Sequence, residues 1–297
     1  MMRRSIVVSM VIALVLLLAS CPPGAKPGPN EYYVDAASGS DLDAGSVAAP
    51  FKTITHAISV AMSGDVIRVL PGTYDAANGE QFPVVVPPGV ALIGDEANKG
   101  QGVTPTVVSG GGYQVSVLDA ALVPGDGSTV AGLTVTGILA ESDFVVSILL
   151  SSSNVTVRNN SVVDSTSDWT AAIYCNNSAA NLIIDGNIIE YNTGLGLGFI
   201  GGGYDTIVQN NVVRHNWIGV EYDSAGGDLG GGAMGSVGNN IITCNSNTDL
   251  WTNQAAITID AADNYWDHNP PSGNDVYNGN EASIIVTGSA VAAEPCP

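Results

Sequence analysis

The sequence predicts an all-β solenoid, a single-stranded parallel β-helix, and three observations carry that expectation. One short phrase returns four times, as Asn159-Asn160-Ser-Val-Val-Asp, Gly186-Asn187-Ile-Ile-Glu-Tyr-Asn, Asn210-Asn211-Val-Val-Arg-His-Asn and Asn239-Asn240-Ile-Ile-Thr-Cys-Asn. Its steps of 27, 24 and 29 residues are too short for a unit to bury its own apolar face, so each must stack on its neighbours. Charged residues make up only 12% of the chain, against 36 glycines, a balance that favours short strands and many turns.

The chain opens Met1-Met2-Arg3-Arg4, followed by an apolar run from Ile6 to Ala19. A basic start and a short apolar stretch describe an export signal. The run ends Leu18-Ala19-Ser20-Cys21, which resembles the bacterial lipobox. That resemblance implies cleavage before Cys21 and lipid attachment to it, and stable anchoring generally needs more than one acyl chain. Residues 1–20 are therefore expected to be a signal peptide. Residues 21–30, rich in Pro and Gly, read as an extended tether. The expected location is that of an exported bacterial lipoprotein, membrane-anchored at the cell envelope on the outer membrane or cell surface. The rest, residues 31–290, reads as one β-helix domain of roughly nine or ten coils. A tail follows at 291–297.

Within the domain, residues 31–65 hold a first strand at Tyr32-Tyr33-Val34 and the one convincing helix. Apolar residues at 51, 54, 58, 61 and 62 repeat at helical spacing, and Ser63-Gly64-Asp65 is a suitable stop. Short apolar runs then alternate with Gly, Pro, Asn and Asp from Val66 to Thr136. Residues 154–267 form the regular coils. There the strand before each phrase reads Val155-Thr-Val157, Leu182-Ile-Ile184, Thr206-Ile-Val208 and Gly235-Ser-Val237. A second strand follows it at Ala172–Tyr174, Leu195–Phe199, Ile218–Tyr222 and Ala256–Ile259. Asn160, Asn187, Asn211 and Asn240 fall in one column. Asn accepts the left-handed backbone of tight turns, and its amide can bond to the Asn of the next rung, so a structural ladder is expected.

Net charge is −20, with eight Lys and Arg against 28 Asp and Glu, and it becomes more negative once Arg3 and Arg4 leave with the signal. Phosphate neutralisation needs a basic surface, so nucleic acid is excluded as a partner. Polyanionic substrates are repelled at long range. The expected partners are a membrane, reached through the N-terminal lipid, and a polysaccharide, with the chain a monomer. Besides Cys21 there are Cys175, Cys244 and Cys296. Export permits a disulfide, and three thiols leave one over. Pairing of Cys244 with Cys296 would staple the C-terminal end. The three His are far apart and no Cys-x-x-Cys occurs, so no metal site and no cofactor are expected. Calcium at Asp35, Asp41 and Asp43 competes there with a plain solvated turn.

The run Tyr32-Tyr33-Val34-Asp35, Ser38-Gly39-Ser40-Asp41, Pro50-Phe51-Lys52-Thr53-Ile54, Gly64-Asp65, Pro71-Gly72-Thr73-Tyr74, Pro87-Pro88-Gly89-Val90 and Leu92-Ile93-Gly94 resembles the opening of the bacterial family called domain of unknown function 1565. The likeness spans roughly 31–110. More loosely, the remainder is similar to the pectate-lyase-like (pectin-lyase-like) right-handed parallel β-helix superfamily, and Asn264-Tyr265-Trp266-Asp267 resembles a phrase that closes such helices. The resemblance implies a right-handed coil and an N-terminal helix that caps the first coil. It implies no established activity, because the superfamily holds polysaccharide lyases, hydrolases, epimerases and non-catalytic surface proteins.

Stacking the phrases places Glu190 beside Arg214, Arg158 beside Asp185, and Tyr191 beside His215. Glu190, Arg214 and His215 form the candidate catalytic cluster, since a carboxylate beside a cation suits a lyase. Ordinary cross-strand ion pairs look the same. Trp217 and Tyr222 are the candidate sugar-stacking residues. The expected function is glycan binding without catalysis at the cell envelope. The alternatives are a polysaccharide lyase or glycoside hydrolase acting along the β-helix face, and a structural spacer or adhesin.

Overall fold

The computed structural model describes residues 30–115, 118–137, 144–166, 169–176, 179–203, 205–223, 226–292 and 296. The expected signal at 1–20, the expected lipidation site Cys21 and the expected tether up to residue 29 lie outside the described residues, as do Tyr204, Ser224 and Ala225. No helix among the described residues is long and apolar enough to cross a membrane.

The chain winds into a parallel β-helix with three strands in each coil. The first sheet runs without interruption from Glu31–Val34 to Ser283–Ile285 and holds ten strands. The second sheet holds nine, from Gly72–Tyr74 to Ala290–Val291. The third holds eight parallel strands, from Val84–Val86 to Val276–Asn278, with Gly112–Val115 added antiparallel. Eight coils are thus complete, and a part coil stands at each end.

The repeat forms strands because its apolar residues come at matching positions in successive coils. Val157, Ile184 and Val208 are register partners in the first sheet. Val162, Ile189, Val213 and Ile242 match in the second, and Ile173, Leu197, Val220 and Leu250 in the third. All are fully buried inside the coil, each contributing roughly 1.5–3 kcal/mol of burial free energy.

The turns divide the labour between two adjacent residues. The residue before each ladder Asn takes the left-handed backbone: Asn159, Asn210 and Asn239 have φ of 50–57°, and Gly186 has 69°. The ladder Asn itself is spent on hydrogen bonding. Asn160 Nδ2 donates to Asn187 Oδ1 at 3.1 Å, Asn187 to Asn211 at 3.0 Å, Asn211 to Asn240 at 3.0 Å, and Asn240 to Asn264 at 2.9 Å. Asn264 thereby joins the ladder as a fifth member. The phrase it opens does not close the helix, since Ala290–Val291 pairs with Tyr265–Trp266 beyond it. A second ladder runs Asn192, Asn216, Asn245, with amide bonds of 2.9 and 3.1 Å.

Two expectations for the fourth unit are corrected. The first-sheet strand there is Gly227–Gly230, not Gly235-Ser-Val237, and Val237 is 54% exposed while Leu229 is buried. Asp228 causes the shift. Its carboxylate accepts the Gly230, Gly232 and Ser236 amides and folds the Gly-rich excursion back on itself. The third-sheet strand of that coil is Thr248–Thr252, and Thr258–Ala261 already belongs to the next coil's first sheet.

The helix, α1, spans Ile54–Val60, shorter than the apolar spacing implied, and Thr53 is its N-cap. Ile54 and Ala57 are buried against the first coil. Its first amides are held from another coil: Glu80 accepts Ile54 N at 2.6 Å and Thr55 N at 2.9 Å. Two carboxylates of the Asp35–Asp43 loop are engaged by the chain itself. Asp35 accepts Ala37 N and Ser38 Oγ, and Asp41 accepts Lys52 N, Thr53 N and Thr53 Oγ1.

Candidate functional site

The second corner, where the second sheet turns toward the third, collects most of the sequence-picked residues on the outer surface. Asp164, Tyr191, His215 and Cys244 occupy it in successive coils, each with φ between 54° and 60°. The left-handed backbone turns these side chains outward along one line. The Tyr191 and His215 rings stack with centroids 4.9 Å apart and planes 11° apart. Trp217 stands two residues beyond His215 and is 42% exposed.

Two shallow grooves border this line and share His215 and Cys244 in their walls. One, of about 470 Å³, is lined by Tyr191, Thr193, Trp217 and Ser246 as well. The other, of about 390 Å³, is lined by Asp267, His268, Asn274, Asp275 and Cys296. Cys244 and Cys296 are joined by a disulfide, which ties the tail to the corner. Cys175 is free and buried, and burial pushes its thiol up, so it is an inert core residue.

Glu190 and Arg214 are register partners, and Arg214 Nε meets Glu190 Oε2 at 2.8 Å. The pair is partly covered, with Glu190 the more covered of the two. A carboxylate so engaged makes an ordinary cross-strand ion pair. His215 stacks on Tyr191 and lines both grooves, while Arg214 ends the strand before it and Glu190 ends the matching strand of the previous coil. The three belong to one corner strip. Arg158 and Asp185 are also register partners, but Arg158 bonds instead to Glu96 at 2.7 Å, and Asp185 accepts the Asn210 amide at 2.8 Å.

Tyr222 is a correction. It is 0% exposed and its ring stacks inside the coil on Phe199, centroids 4.5 Å apart. It shares the inward face of Val220, two residues back, as strand alternation requires. It cannot meet a sugar.

Two acidic features were missed. The outer face of the third sheet carries Tyr174, Gly198, Glu221, Trp251 and Tyr277 as one register column. Trp251 and Tyr277 stack at 5.8 Å. Burial, aided by Asp223, pushes the Glu221 carboxyl up to about 7. The signal was available in the second residue from the end of each third-sheet strand. Beneath the second groove lie Asp249, Asp267 and Asp275, whose carboxylates face one another. Asp267 ends the Asn264 phrase, but Asp249 and Asp275 fall outside it, so no column drew the three together.

Three stacked parallel sheets, an internal Asn ladder and a helical cap define a right-handed parallel β-helix. The chain belongs to the family described as protein of unknown function (DUF1565), whose model matches residues 37–273, well beyond the opening run. A search of curated proteins finds no match. Among solved structures, pectate lyase Pel9A is similar over 90% of this chain and 79% of its own, with a TM-score of 0.57 at 14% identity. A rhamnogalacturonan lyase is similar over 89% of this chain and 64% of its own, TM-score 0.38, 14% identity. A GH136 lacto-N-biosidase from Eubacterium ramulus covers 88% and 68%, TM-score 0.34, 11% identity. At such identities the likeness to Pel9A is one of fold.

Proposed function

We propose that this chain is an exported, lipid-anchored β-helix lipoprotein that binds polysaccharide or envelope glycan along its second corner without cleaving it. The observation that carries the reading is the exposed Trp217 beside the stacked Tyr191–His215 pair, lining a groove that continues from coil to coil. Flat aromatic faces held by a rigid backbone suit sugar rings, and a line of them suits a chain of sugars. The acidic surface favours a neutral glycan over a polyanionic one. The Glu190–Arg214 pair serves as a brace between rungs. The anchor rests on Leu18-Ala19-Ser20-Cys21 after a basic start and an apolar run.

The test is binding to a panel of neutral and acidic polysaccharides, with product ends assayed in parallel. Trp217→Ala is expected to weaken binding roughly tenfold or more, the loss of one central aromatic anchor. Glu190→Gln is expected to leave it unchanged. Binding indifferent to Trp217→Ala overturns the corner as the site.

One observation favours a second reading, a glycoside hydrolase. Glu221, titrating near neutrality beside Trp251, has the proton affinity of a general acid. Release of reducing ends that is lost in Glu221→Gln would support it.

A further inference from the structure

We infer that Asp249, Asp267 and Asp275 form a calcium site that locks the C-terminal coils together. One ligand oxygen from each lies within 4.8 Å of the others. Two oxygens bound to one calcium ion at about 2.4 Å can lie no further apart than this. The ligand set is all oxygen, which suits a hard cation. The second groove, with Asp267 and Asp275 in its wall, gives an ion access and leaves room for water ligands.

Asp249 supplies the independent observation. It is 2% exposed, and it ends the second Asn ladder. Its Oδ1 accepts Asn245 Nδ2 at 2.8 Å and Asn245 N at 3.3 Å, as the Oδ1 of a further Asn would. An Asn would do this without charge. The chain instead carries a carboxylate whose Oδ2 is buried without a hydrogen-bond partner among the described residues. An orphaned charged oxygen is expensive, and a bound cation removes the cost.

The neighbours are oriented around the same point. Asp275 is 1% exposed and its carboxylate contacts His268 Nδ1 at 3.0 Å and accepts Ser272 N at 2.7 Å. Asp267 Oδ2 accepts Cys244 N at 3.0 Å, beside the disulfide. Strand Thr248–Thr252, the segment after Tyr265–Trp266 and the turn at Gly273–Asp275 each contribute one acid. An ion there would cross-link three segments that belong to different parts of the last coils. Without it, burial and the charges of Asp267 and Asp275 push Asp249 up to about 8, so a proton is the rival occupant.

The experiment uses the full chain with its disulfide intact. After dialysis against chelator, calcium is titrated calorimetrically at pH 7.5, and thermal unfolding is followed with calcium or with EGTA. One calcium per chain is expected. At a hundredfold excess over the dissociation constant, the midpoint should rise by roughly 5–10 °C. Asp249→Asn keeps the ladder-ending oxygen and should fold, yet lose calcium affinity at least tenfold. Asp275→Asn should do the same. No calcium uptake by the unaltered chain at millimolar concentration, with an unfolding midpoint indifferent to EGTA, overturns the site and leaves a proton shared among the acids. Equal calcium affinity in Asp249→Asn also overturns it.

Discussion

Asn211→Ala tests the Asn ladder where it is most enclosed. Asn211 is fully buried and makes four side-chain hydrogen bonds. Its Nδ2 donates to Ile184 O at 2.8 Å and Asn240 Oδ1 at 3.0 Å, and its Oδ1 accepts Asn187 N at 2.9 Å and Asn187 Nδ2 at 3.0 Å. After truncation, Asn187 Nδ2 still reaches Val157 O, and Asn240 Oδ1 still accepts Asn211 N. The Asn187 backbone N–H loses its partner, and an orphaned buried donor costs about 1–3 kcal/mol. The remaining bonds add about 0.5–1.5 kcal/mol each, partly offset by those surviving partners. The sum is roughly 3–5 kcal/mol, a large share of the 5–15 kcal/mol typical of a domain. Urea unfolding followed by circular dichroism reads the loss, provided the slope stays that of the unaltered chain. Asn210→Gly is the control, because that position needs a left-handed backbone and its amide donates only an exposed bond to Asp185. It should shift stability by less than about 1 kcal/mol. A loss under 1 kcal/mol in Asn211→Ala, or equal losses in the two variants, would refute the division of labour between these neighbours.

Other outcomes follow from single contacts. Glu80→Ala strips the α1 amides of Ile54 and Thr55 of their acceptor and should destabilise by about 2–4 kcal/mol in the same urea assay. Glu221 has its folded proton affinity raised, so stability is complete below the unfolded carboxyl range and falls as pH rises from about 4 to about 7. Glu221→Gln should therefore be roughly 2 kcal/mol more stable than the unaltered chain at pH 8, allowing for partial exposure, and near equal to it at pH 4. An advantage independent of pH would show that its charge is not the cause. Metabolic lipid labelling should vanish in Cys21→Ser, and labelling that persists would remove the anchor.

The repeat was legible because a solenoid writes its spatial neighbours at a constant step. Position alone placed Glu190 against Arg214 and Tyr191 against His215, and the contacts at 2.8 and 4.9 Å follow that register. The same logic failed where the step breaks. Arg158 left its register partner for Glu96, 62 residues earlier, because a 3-10 turn at Glu96–Asn98 reaches over the first sheet from outside the phrase. The fourth strand slipped to Gly227–Gly230 because Asp228 organises an excursion no other coil has. The acids under the second groove stayed hidden for the same reason, since Asp249 and Asp275 occupy no column of the repeated phrase. Tyr222 was misplaced although alternation with Val220 carried the answer.

The most direct measurement is a crystal structure of the chain with an oligosaccharide drawn from whichever polysaccharide it binds. Sugar rings should lie in the second-corner groove, one of them stacked on Trp217 and the intact chain passing Tyr191 and His215. Sugar bound instead on the outer third sheet, against Trp251 with Glu221 at the glycosidic oxygen, would contradict non-catalytic corner binding and favour a hydrolase.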